Sequence, residues 1–525
     1  MWRDLAIGLS TANLCYLRIW SELLTYQREN TFWMKHPPTP TELAAVTLNV
    51  CLLGSLLGLG RFWARRHAGD RLAAWLSRGF LLLLLIPLNA LRSLLTMHVP
   101  RLYFLGSPLF EALGYKGVLL LGFLLGTTGL LALLLWHRAL TRIASAGLLA
   151  FFTFVPVTFG QALWAAVKYN PAAFADKPLA PGLPARNAIG VEGRAAAPRV
   201  LWMIFDEMDY RLALLDRPAG LELPELDRLR REALDASRAY PPGQETSVSL
   251  PAFITGRTVT VARALGPDEL ALTFEGSTQP VSWSSQPNIF SRARKARYNT
   301  ALVGWMHPYC RVLHADLTAC EWWPMAMQYN SIGNSLAEIL PGQARSLLET
   351  HLFSVFGQSL TIREHVRSYQ AILARATQFA VNRELGLVVL HFPVPHPPHA
   401  YDRSTGRFTL ANSPFSGYYD SLALVDRTLG ELRRAMEEAG AWETTSVLLT
   451  SDHAYRGASQ LDGKQDSRIP FMLKLAGHNE GVTHQGAFNA VLSHDLLLAI
   501  LHGEVETPQA AAQWLDRRRR RASVP

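Results

Sequence analysis

The stretch RVLWMIFDE, residues 199–207, decides the fold of the second half of the chain. It is a short apolar run that ends abruptly in two carboxylates, Asp206 and Glu207. A run of this length and composition is typical of a β-strand. An Asp directly after a strand often only caps a helix or a turn, so Asp206 alone does not establish a functional site.

Further runs of the same kind follow, separated by longer helical patterns. They are TALVGW (300–305), LGLVVLHF (385–392), TSVLLT (445–450) and IPFMLKL (469–475). This alternation predicts an α/β domain with a largely parallel central sheet. Ligands of such domains gather at the carboxyl ends of the strands, so the residues at these ends are the first candidates for function.

Polar residues stand at three of these strand ends. They are Asp206 and Glu207 after the first run, His391 and His396 at and after the third, and Asp452 and His453 after the fourth. Adjacent carboxylate and imidazole groups, as in SDH (451–453), can hold one divalent cation. The alternative is a structural His that bonds a backbone carbonyl.

The segment GQETSVSLPAFITGR, residues 243–257, supplies a candidate nucleophile. Thr246 opens a hydroxyl-rich stretch just before a predicted helix, whose N-terminus favours a bound phosphate. A hydroxyl is a weak nucleophile at neutral pH and needs a metal or a base to activate it. Helix capping by Thr246, Ser247 or Ser249 is the alternative interpretation.

The first half of the chain predicts a membrane region, because the apolar residues, 49% of the whole, concentrate there. The windows with the length of a membrane span are about 5–25, 42–62, 74–96, 116–137 and 146–167. The first contains Arg18 and Glu22, so an interfacial helix is its alternative.

The loop after the second window is rich in arginine and is predicted to face the cytoplasm. Its arginines are Arg61, Arg65, Arg66 and Arg71. With five spans, the large C-terminal domain then lies on the outer side. An external domain would also allow Cys310 and Cys320 to form a disulfide.

These patterns divide the chain into a transmembrane region (1–167), a Pro- and Ala-rich linker (168–198), a catalytic domain (199–505) and a basic tail (506–525). The net charge of +9 is not accompanied by a nucleic-acid binding motif, so we expect no nucleic-acid partner. The few charged residues within the apolar windows disfavour a transporter.

Residues 199–505 resemble the alkaline phosphatase superfamily with its sulfatase-like fold. The resemblance is to the membrane branch of phosphoethanolamine and phosphoglycerol transferases, which includes lipoteichoic acid synthases and lipid A phosphoethanolamine transferases. ETSVSLPAF is similar to the Thr-x-x-Ser-x-Pro pattern of this branch, and LHFPVPHPP keeps its His-x-x-x-x-His spacing. The chain lacks the Cys-x-Pro-x-Arg pattern of sulfatases, which disfavours sulfate ester hydrolysis.

The resemblance implies a role for each candidate residue. Asp206, with Glu207 as its alternative, Thr246, Asp452 and His453 would bind one divalent metal, Thr246 would be the nucleophile, and His396 and His391 would contact the phosphoryl group. The metal implied is Zn²⁺ or Mn²⁺. His484 is the best surplus candidate for a second metal, and its alternative is a surface His in a loop.

The implied reaction transfers a phosphoryl-linked headgroup, phosphoethanolamine or phosphoglycerol, from a phospholipid to an envelope lipid or glycan through a phosphothreonine. The implied place is a bacterial-type inner membrane, with the catalytic domain on the periplasmic or extracellular side. A phosphodiesterase or sulfatase-like hydrolase of the same superfamily is one alternative. A non-catalytic membrane assembly protein with this fold is another.

Overall fold

The computed structural model describes residues 1–24, 28–88, 90–91, 106–184, 197–325, 335–349, 359–410 and 417–518. The chain forms two compact units. The first comprises Met1–Tyr26, His36–Asn170 and Gln328–Leu360, and the second comprises Gln27–Lys35, Pro171–Met327 and Thr361–Pro525.

The described α-helices are numbered in chain order. They are α1 (Trp2–Cys15), α2 (Leu17–Leu24), α3 (Pro40–His67), α4 (Asp70–Leu83), α5 (Gly106–Phe151), α6 (Phe154–Val167), α7 (Pro224–Glu232), α8 (Thr246–Thr255), α9 (Ile289–Lys295), α10 (Tyr309–Val312), α11 (Leu336–Glu349), α12 (Ser359–Val381), α13 (Gly417–Glu438), α14 (Ser459–Asp462), α15 (Ser493–Leu501) and α16 (Pro508–Arg518). Short 3₁₀ or π turns occupy Arg28–Trp33, Ala172–Phe174, Arg211–Leu215, His314–Asp316 and Ala490–Leu492.

The strands among the described residues lie in the second unit. They are β1 (Val200–Asp206), β2 (Leu234–Ala236), β3 (Ala239–Tyr240), β4 (Val259–Gly266), β5 (Glu269–Phe274), β6 (Val281–Ser282), β7 (Asn299–Trp305), β8 (Ala319–Trp323), β9 (Leu385–Pro395), β10 (Tyr401–Asp402), β11 (Arg407–Phe408), β12 (Ser446–Ser451), β13 (Phe471–Lys474), β14 (Val482–His484) and β15 (Phe488–Asn489).

Three helical segments among the described residues are long and apolar enough to cross a membrane. They are Pro40–His67, Asp70–Leu88 and Leu120–Val167. The first predicted window falls instead on α1 and α2, which are separated at Tyr16. The third window runs past Leu88 into residues outside the described part, and the count of five spans stays a prediction.

Glycine allows α1 and α3 to pack closely. A Cβ on Gly8 would lie 2.2 Å from the carbonyl oxygen of Gly54, and one on Gly58 would lie 2.8 Å from the Cα of Leu5. Small residues let helix backbones approach in this way when hydrocarbon surrounds them. Thr39 and Glu42 form a capping box that fixes the start of α3.

The central sheet of the second unit has eight strands in the order β14-β2-β13-β12-β1-β9-β7-β8. The pairs from β12 through β8 are parallel, whereas β13 is antiparallel to both of its neighbours. The predicted strands are β1, β7, β9, β12 and β13, and they form the contiguous centre of this sheet. The prediction of a largely parallel α/β domain is therefore confirmed.

Parts of the predicted linker and tail are ordered in the second unit. The indole N–H of Trp322 donates to Asp176, and α16 buries Leu515 completely. Residues 185–196 of the linker and 519–525 of the tail lie outside the described residues.

A disulfide joins Cys310 in α10 to Cys320 in β8, across a sequence separation of 10 residues. We expect Cys310→Ser/Cys320→Ser to lower the free energy of unfolding by about 3 kcal/mol, because a closed loop of this size restricts the unfolded chain. Thermal unfolding of the wild-type chain and of the double variant, both without reductant, measures this effect. A melting temperature that is the same for the two proteins would contradict the expectation.

Candidate metal and nucleophile site

The site lies where three adjacent parallel strands end. β1 runs between β12 and β9, and all seven of its residues are buried because sheet neighbours and packed layers cover it. Phe205 pairs with Ser451 of β12, and Ile204 pairs with His391 of β9. This register brings Asp206 beside Asp452, His453 and His391, as the strand-end pattern indicates.

Asp206, Asp452 and His453 form a group that could hold one metal ion, since one ligand atom from each lies within 4.8 Å of the others. His453 Nε2 is 3.4 Å from Asp452 Oδ2 and 3.9 Å from Asp206 Oδ1. All three residues have no exposed surface. Two carboxylates and a ring nitrogen turned toward one another in a dry interior fit a bound cation.

Hydrogen bonds orient these three residues toward a common point. Asp452 Oδ1 accepts the backbone N–H groups of Glu207 at 3.1 Å and of His453 at 2.9 Å. Asp452 Oδ2 and Asp206 Oδ1 have no hydrogen-bond partner among the described residues. Buried oxygens of this kind are rarely left without a partner, so they are the natural ligand atoms for a metal.

The ring of His453 is fixed by a backbone carbonyl. Its Nδ1 lies 3.0 Å from the carbonyl oxygen of Ala454, which assigns the proton to Nδ1 and leaves the lone pair of Nε2 facing the carboxylates. The contact with a backbone carbonyl, which the sequence allowed as a purely structural role, is here compatible with metal binding.

Ser451 joins the ends of β1 and β12. Its hydroxyl lies 2.6 Å from the carbonyl oxygen of Phe205, and its oxygen accepts the N–H of Met208 at 2.8 Å. Both contacts clamp the turn that carries Asp206 and Glu207 against the turn that carries Asp452. Ser451 was not among the predicted site residues, although its place in SDH next to Asp452 was a usable signal.

Thr246 is the first residue of α8 and reaches the metal group. Its Oγ1 lies 3.4 Å from Asp206 Oδ2 and 3.4 Å from His453 Nε2, and the residue is 6% exposed. Ser247 instead contacts the side chain of Glu245, and the Ser249 hydroxyl has no hydrogen-bond partner among the described residues. Of these three hydroxyls, Thr246 is the one that contacts the candidate metal ligands.

His391 lies against Asp206 from the side of β9. Its Nε2 is 3.5 Å from Asp206 Oδ2, and its Nδ1 is 3.0 Å from the hydroxyl of Tyr309 and 3.1 Å from the carbonyl oxygen of Trp305. His396 is half-buried, with its ring 5.0 Å from that of Trp305. Trp305 and Tyr309 were not among the predicted site residues. Trp305 is the last residue of a predicted strand, and Tyr309 follows soon after it.

The carboxylates and imidazoles of the site shift one another's pKa values. Burial opposes ionisation of Asp206, but the imidazoles of His396 and His391 outweigh it, and the pKa of this carboxyl lies below its ordinary value. Burial also favours the neutral form of His453, yet Asp452 and Asp206 outweigh it and raise its pKa.

Two further histidines are buried near this cluster. Burial lowers the pKa of His307 and of His365 to about 3, so both rings are neutral at physiological pH. His365 packs edge-on against Trp305 at 5.9 Å. The sequence around His365 does not mark this residue as part of the site. His365 lies on α12, and only the tertiary fold brings that helix close to the cluster.

Glu207 occupies a different environment from Asp206. Its φ of 64° places it in the left-handed region, and Arg456 Nε and Nη2 hold its Oε1 at 2.7 and 2.6 Å. The ligand atoms that form the metal group are carboxylate oxygens of Asp206 and Asp452 and a ring nitrogen of His453, and Glu207 is outside that group. His484 is also elsewhere, on the edge strand β14, where its Nε2 lies 3.2 Å from Asp516.

We expect Glu207→Gln to keep metal binding and Asp206→Asn to lose it. The first change removes a carboxylate that pairs with Arg456, whereas the second removes one that faces Asp452 and His453. Metal content per chain after dialysis measures both, with about one ion retained in Glu207→Gln and affinity lowered at least about tenfold in Asp206→Asn. The reverse pattern would assign the ligand to Glu207.

The sequence model of the sulfatase family matches residues 198–502, which is more than half of the chain. The chain belongs to the sulfatase family. This membership indicates an enzyme of the alkaline phosphatase superfamily that acts on sulfate or phosphate esters, and it confirms the fold that the strand pattern and the resemblance predicted. Enzymes of this family use a metal, in agreement with the group at Asp206, Asp452 and His453.

Several solved structures are similar to this sulfatase-family chain. They include Ps i-CgsB in complex with k-i-k-neocarrahexaose (17% identity, 59% of this chain and 73% of that chain, TM-score 0.43) and the phosphonate monoester hydrolase of Agrobacterium radiobacter (16%, 58% and 74%, 0.39). The lipoteichoic acid synthase LtaP from Listeria monocytogenes is also similar (13%, 61% and 76%, 0.39). No curated protein matches the chain in a sequence comparison.

Proposed function

We propose that the protein transfers a phosphoryl-linked headgroup, phosphoethanolamine or phosphoglycerol, from a phospholipid to an envelope lipid or glycan. One observation carries the proposal. The Thr246 hydroxyl lies at hydrogen-bond range of both Asp206 and His453, so the candidate nucleophile sits at the candidate metal group. A hydroxyl so placed can be activated and then held covalently.

In the first step, Thr246 Oγ1 attacks the phosphorus of the donor lipid. An Oγ1–P bond forms, the bond from phosphorus to the diacylglycerol oxygen breaks, and diacylglycerol leaves as an alcohol. The proton of Thr246 passes to Asp206 Oδ2, at 3.4 Å, and from there to the leaving diacylglycerol oxygen by way of His391, whose Nε2 lies 3.5 Å from Asp206 Oδ2. His396, with His391 behind it, binds the phosphoryl oxygens or gives the leaving oxygen its proton.

In the second step, an acceptor hydroxyl attacks the same phosphorus. The Oγ1–P bond breaks, the new ester forms on the acceptor, and the acceptor's proton returns to Thr246. The enzyme therefore ends the cycle in its starting state, with one headgroup moved and no other reagent consumed.

One divalent ion, Zn²⁺ or Mn²⁺, would be held by Asp206, Asp452 and His453, with Thr246 beside it. When bound, such an ion neutralises charge on phosphoryl oxygens and lowers the pKa of a hydroxyl that it contacts. The unpartnered oxygens Asp452 Oδ2 and Asp206 Oδ1 fit this role.

We place the protein in a bacterial-type inner membrane, with the catalytic domain on the periplasmic or extracellular side. The apolar helices support a membrane location, and the arginines near the end of α3 and at the start of α4 support a cytoplasmic position for the junction between these helices. The Cys310–Cys320 disulfide supports an oxidising compartment for the domain.

The experiment that tests the proposal is product analysis with the purified full chain in detergent, loaded with Zn²⁺ or Mn²⁺. Vesicles of phosphatidylethanolamine or phosphatidylglycerol are supplied with and without an envelope glycan extract as acceptor. We expect diacylglycerol release that increases with acceptor, and headgroup that appears on the acceptor. Free headgroup as the product in both cases would identify a hydrolase and contradict the proposal.

A further inference from the structure

A groove of about 620 Å³ lies in the first unit, between the C-terminal half of α3 and the helix α4. Its walls are mainly apolar and include Leu56, Trp63, Trp75 and Leu76. Trp75 is 66% exposed and Leu56 is 70% exposed, and both belong to segments long and apolar enough to cross a membrane. Side chains of this kind face hydrocarbon in a bilayer, so the groove is open to lipid.

One end of the groove is positively charged. Arg61 and Arg65 lie one helical turn apart on α3 and both line the groove. Arg65 Nη1 donates to Asp4 at 3.1 Å, and Arg61 Nη2 donates to Ser145 at 3.0 Å. Asp4 also lies 3.9 Å from Arg61 Nε, so the two guanidinium groups share one carboxylate, which leaves a net positive charge at this end.

The guanidinium of Arg61 is held in place and still has capacity to bind. It lies 4.5 Å from the ring centre of Phe80, and its side chain is only 19% exposed. Its Nε is 3.9 Å from Asp4 Oδ1 and makes no hydrogen bond to any residue that the structure describes. That Nε is itself covered, so a ligand oxygen in the groove would meet the outer guanidinium nitrogens of Arg61 and the Arg65 side chain, which is 64% exposed.

We infer that this groove binds one phospholipid of net negative charge. An acyl chain would lie along the apolar wall, and the phosphate would meet Arg61 and Arg65 at the end of the predicted second span, where headgroups lie. Basic pockets between membrane helices bind anionic headgroups in this way. A sterol or a neutral lipid would leave the charge unpaired, and the site goes beyond the transfer reaction, which uses residues of the second unit.

Two glycines that line the groove can be replaced by larger residues, which fill the groove without disturbing the fold. Gly60 and Gly79 both line the groove, and a Cβ added at either would meet nothing within 4 Å. Gly60→Leu/Gly79→Leu therefore occupies the space of the acyl chain and leaves Arg61 and Arg65 in place. Leu is also a better helix former than Gly.

The test is native mass spectrometry of the full chain in detergent, with phosphatidylglycerol and phosphatidylcholine as competing probes. We expect the wild type to retain phosphatidylglycerol with about a tenfold preference over phosphatidylcholine. Arg61→Gln/Arg65→Gln should lose the preference, and Gly60→Leu/Gly79→Leu should lose retention of both lipids. The matched control is Arg138→Gln/Arg142→Gln, which removes the same charge at exposed positions of α5 outside the groove and should behave as wild type.

Equal retention of the two lipids by the wild type would overturn the inference. A preference for phosphatidylglycerol that survives in both groove variants would also overturn it. So would a preference that the control variant Arg138→Gln/Arg142→Gln abolishes, because the attraction of the anionic lipid would then be general to the protein surface. A dimer cross-linked through cysteines introduced at Trp75 and Leu76 would show a second copy of the chain in the groove instead. None of these results depends on Thr246 or on turnover, so the proposed reaction is tested separately.

Discussion

Replacing Thr246 with Ala lowers headgroup transfer at least about 10³-fold in our account, because removing the nucleophile of a covalent mechanism removes the pathway itself. The hydroxyl that is lost is the one within 3.4 Å of Asp206 and His453. The variant should remain folded and metal-binding, since Asp206, Asp452 and His453 are unchanged. Rates of diacylglycerol release from phosphatidylethanolamine and phosphatidylglycerol vesicles measure the effect.

Thr246→Ser is the matched variant, because it keeps a hydroxyl on the first residue of α8 and removes only a methyl group. We expect it to retain transfer at a measurable rate, well above that of Thr246→Ala. Ser247→Ala tests the neighbouring hydroxyl and should leave the rate within a few-fold of wild type. Full activity in Thr246→Ala would reject Thr246 as the nucleophile.

Asp452→Asn produces the second large effect, a loss of metal affinity of at least about 10-fold to 100-fold. The substitution preserves shape, and the amide oxygen can still accept the N–H groups of Glu207 and His453. The other side-chain atom changes from an unpartnered carboxylate oxygen into an N–H donor that faces His453 Nε2. Metal content and transfer rate should therefore fall together while the domain stays folded.

Asp426→Asn is the control for this prediction. Asp426 is also buried and also accepts a backbone N–H, from Leu226 at 2.8 Å, but it lies on α13, away from the metal group. We expect Asp426→Asn to keep about one metal ion per chain. Unchanged metal stoichiometry in Asp452→Asn would remove Asp452 from the ligand set.

The strands at the centre of the sheet were predicted correctly from the sequence, because buried parallel strands consist of continuous apolar runs. β1 and β9 are examples, and both lie in the middle of the sheet. The edge strand β14 and its neighbour β2 have three residues each, too few to show a pattern. Short edge strands are defined by their partners, which a single sequence does not reveal.

The amino-acid sequence left two features of the site open. Adjacent carboxylates at positions 206 and 207 are equivalent in the pattern, and the structure separates them through the left-handed backbone at Glu207 and its ion pair with Arg456. Thr246 could equally cap a helix by sequence alone. Its contacts with Asp206 and His453 depend on how α8 packs beside β1, which is a tertiary property.

The membrane region shows a different limit. Hydropathy marks apolar windows well, but the first window is divided at Tyr16 into α1 and α2, and no residue there is a strong helix breaker. The last window falls within the apolar segment Leu120–Val167, and the fourth window overlaps the same segment. Window length alone therefore does not determine where one helix ends and the next begins.

The central claim is that Thr246 carries the headgroup between a lipid donor and an acceptor. Its most direct test is the mass of the metal-loaded protein after incubation with phosphatidylethanolamine or phosphatidylglycerol in the absence of acceptor, followed by peptide mapping. We predict a mass increase of one phosphoethanolamine or phosphoglycerol unit, located on Thr246, with release of diacylglycerol and loss of the adduct when acceptor is added. Turnover of the lipid with no adduct on Thr246, or with an adduct at another residue, would contradict the account.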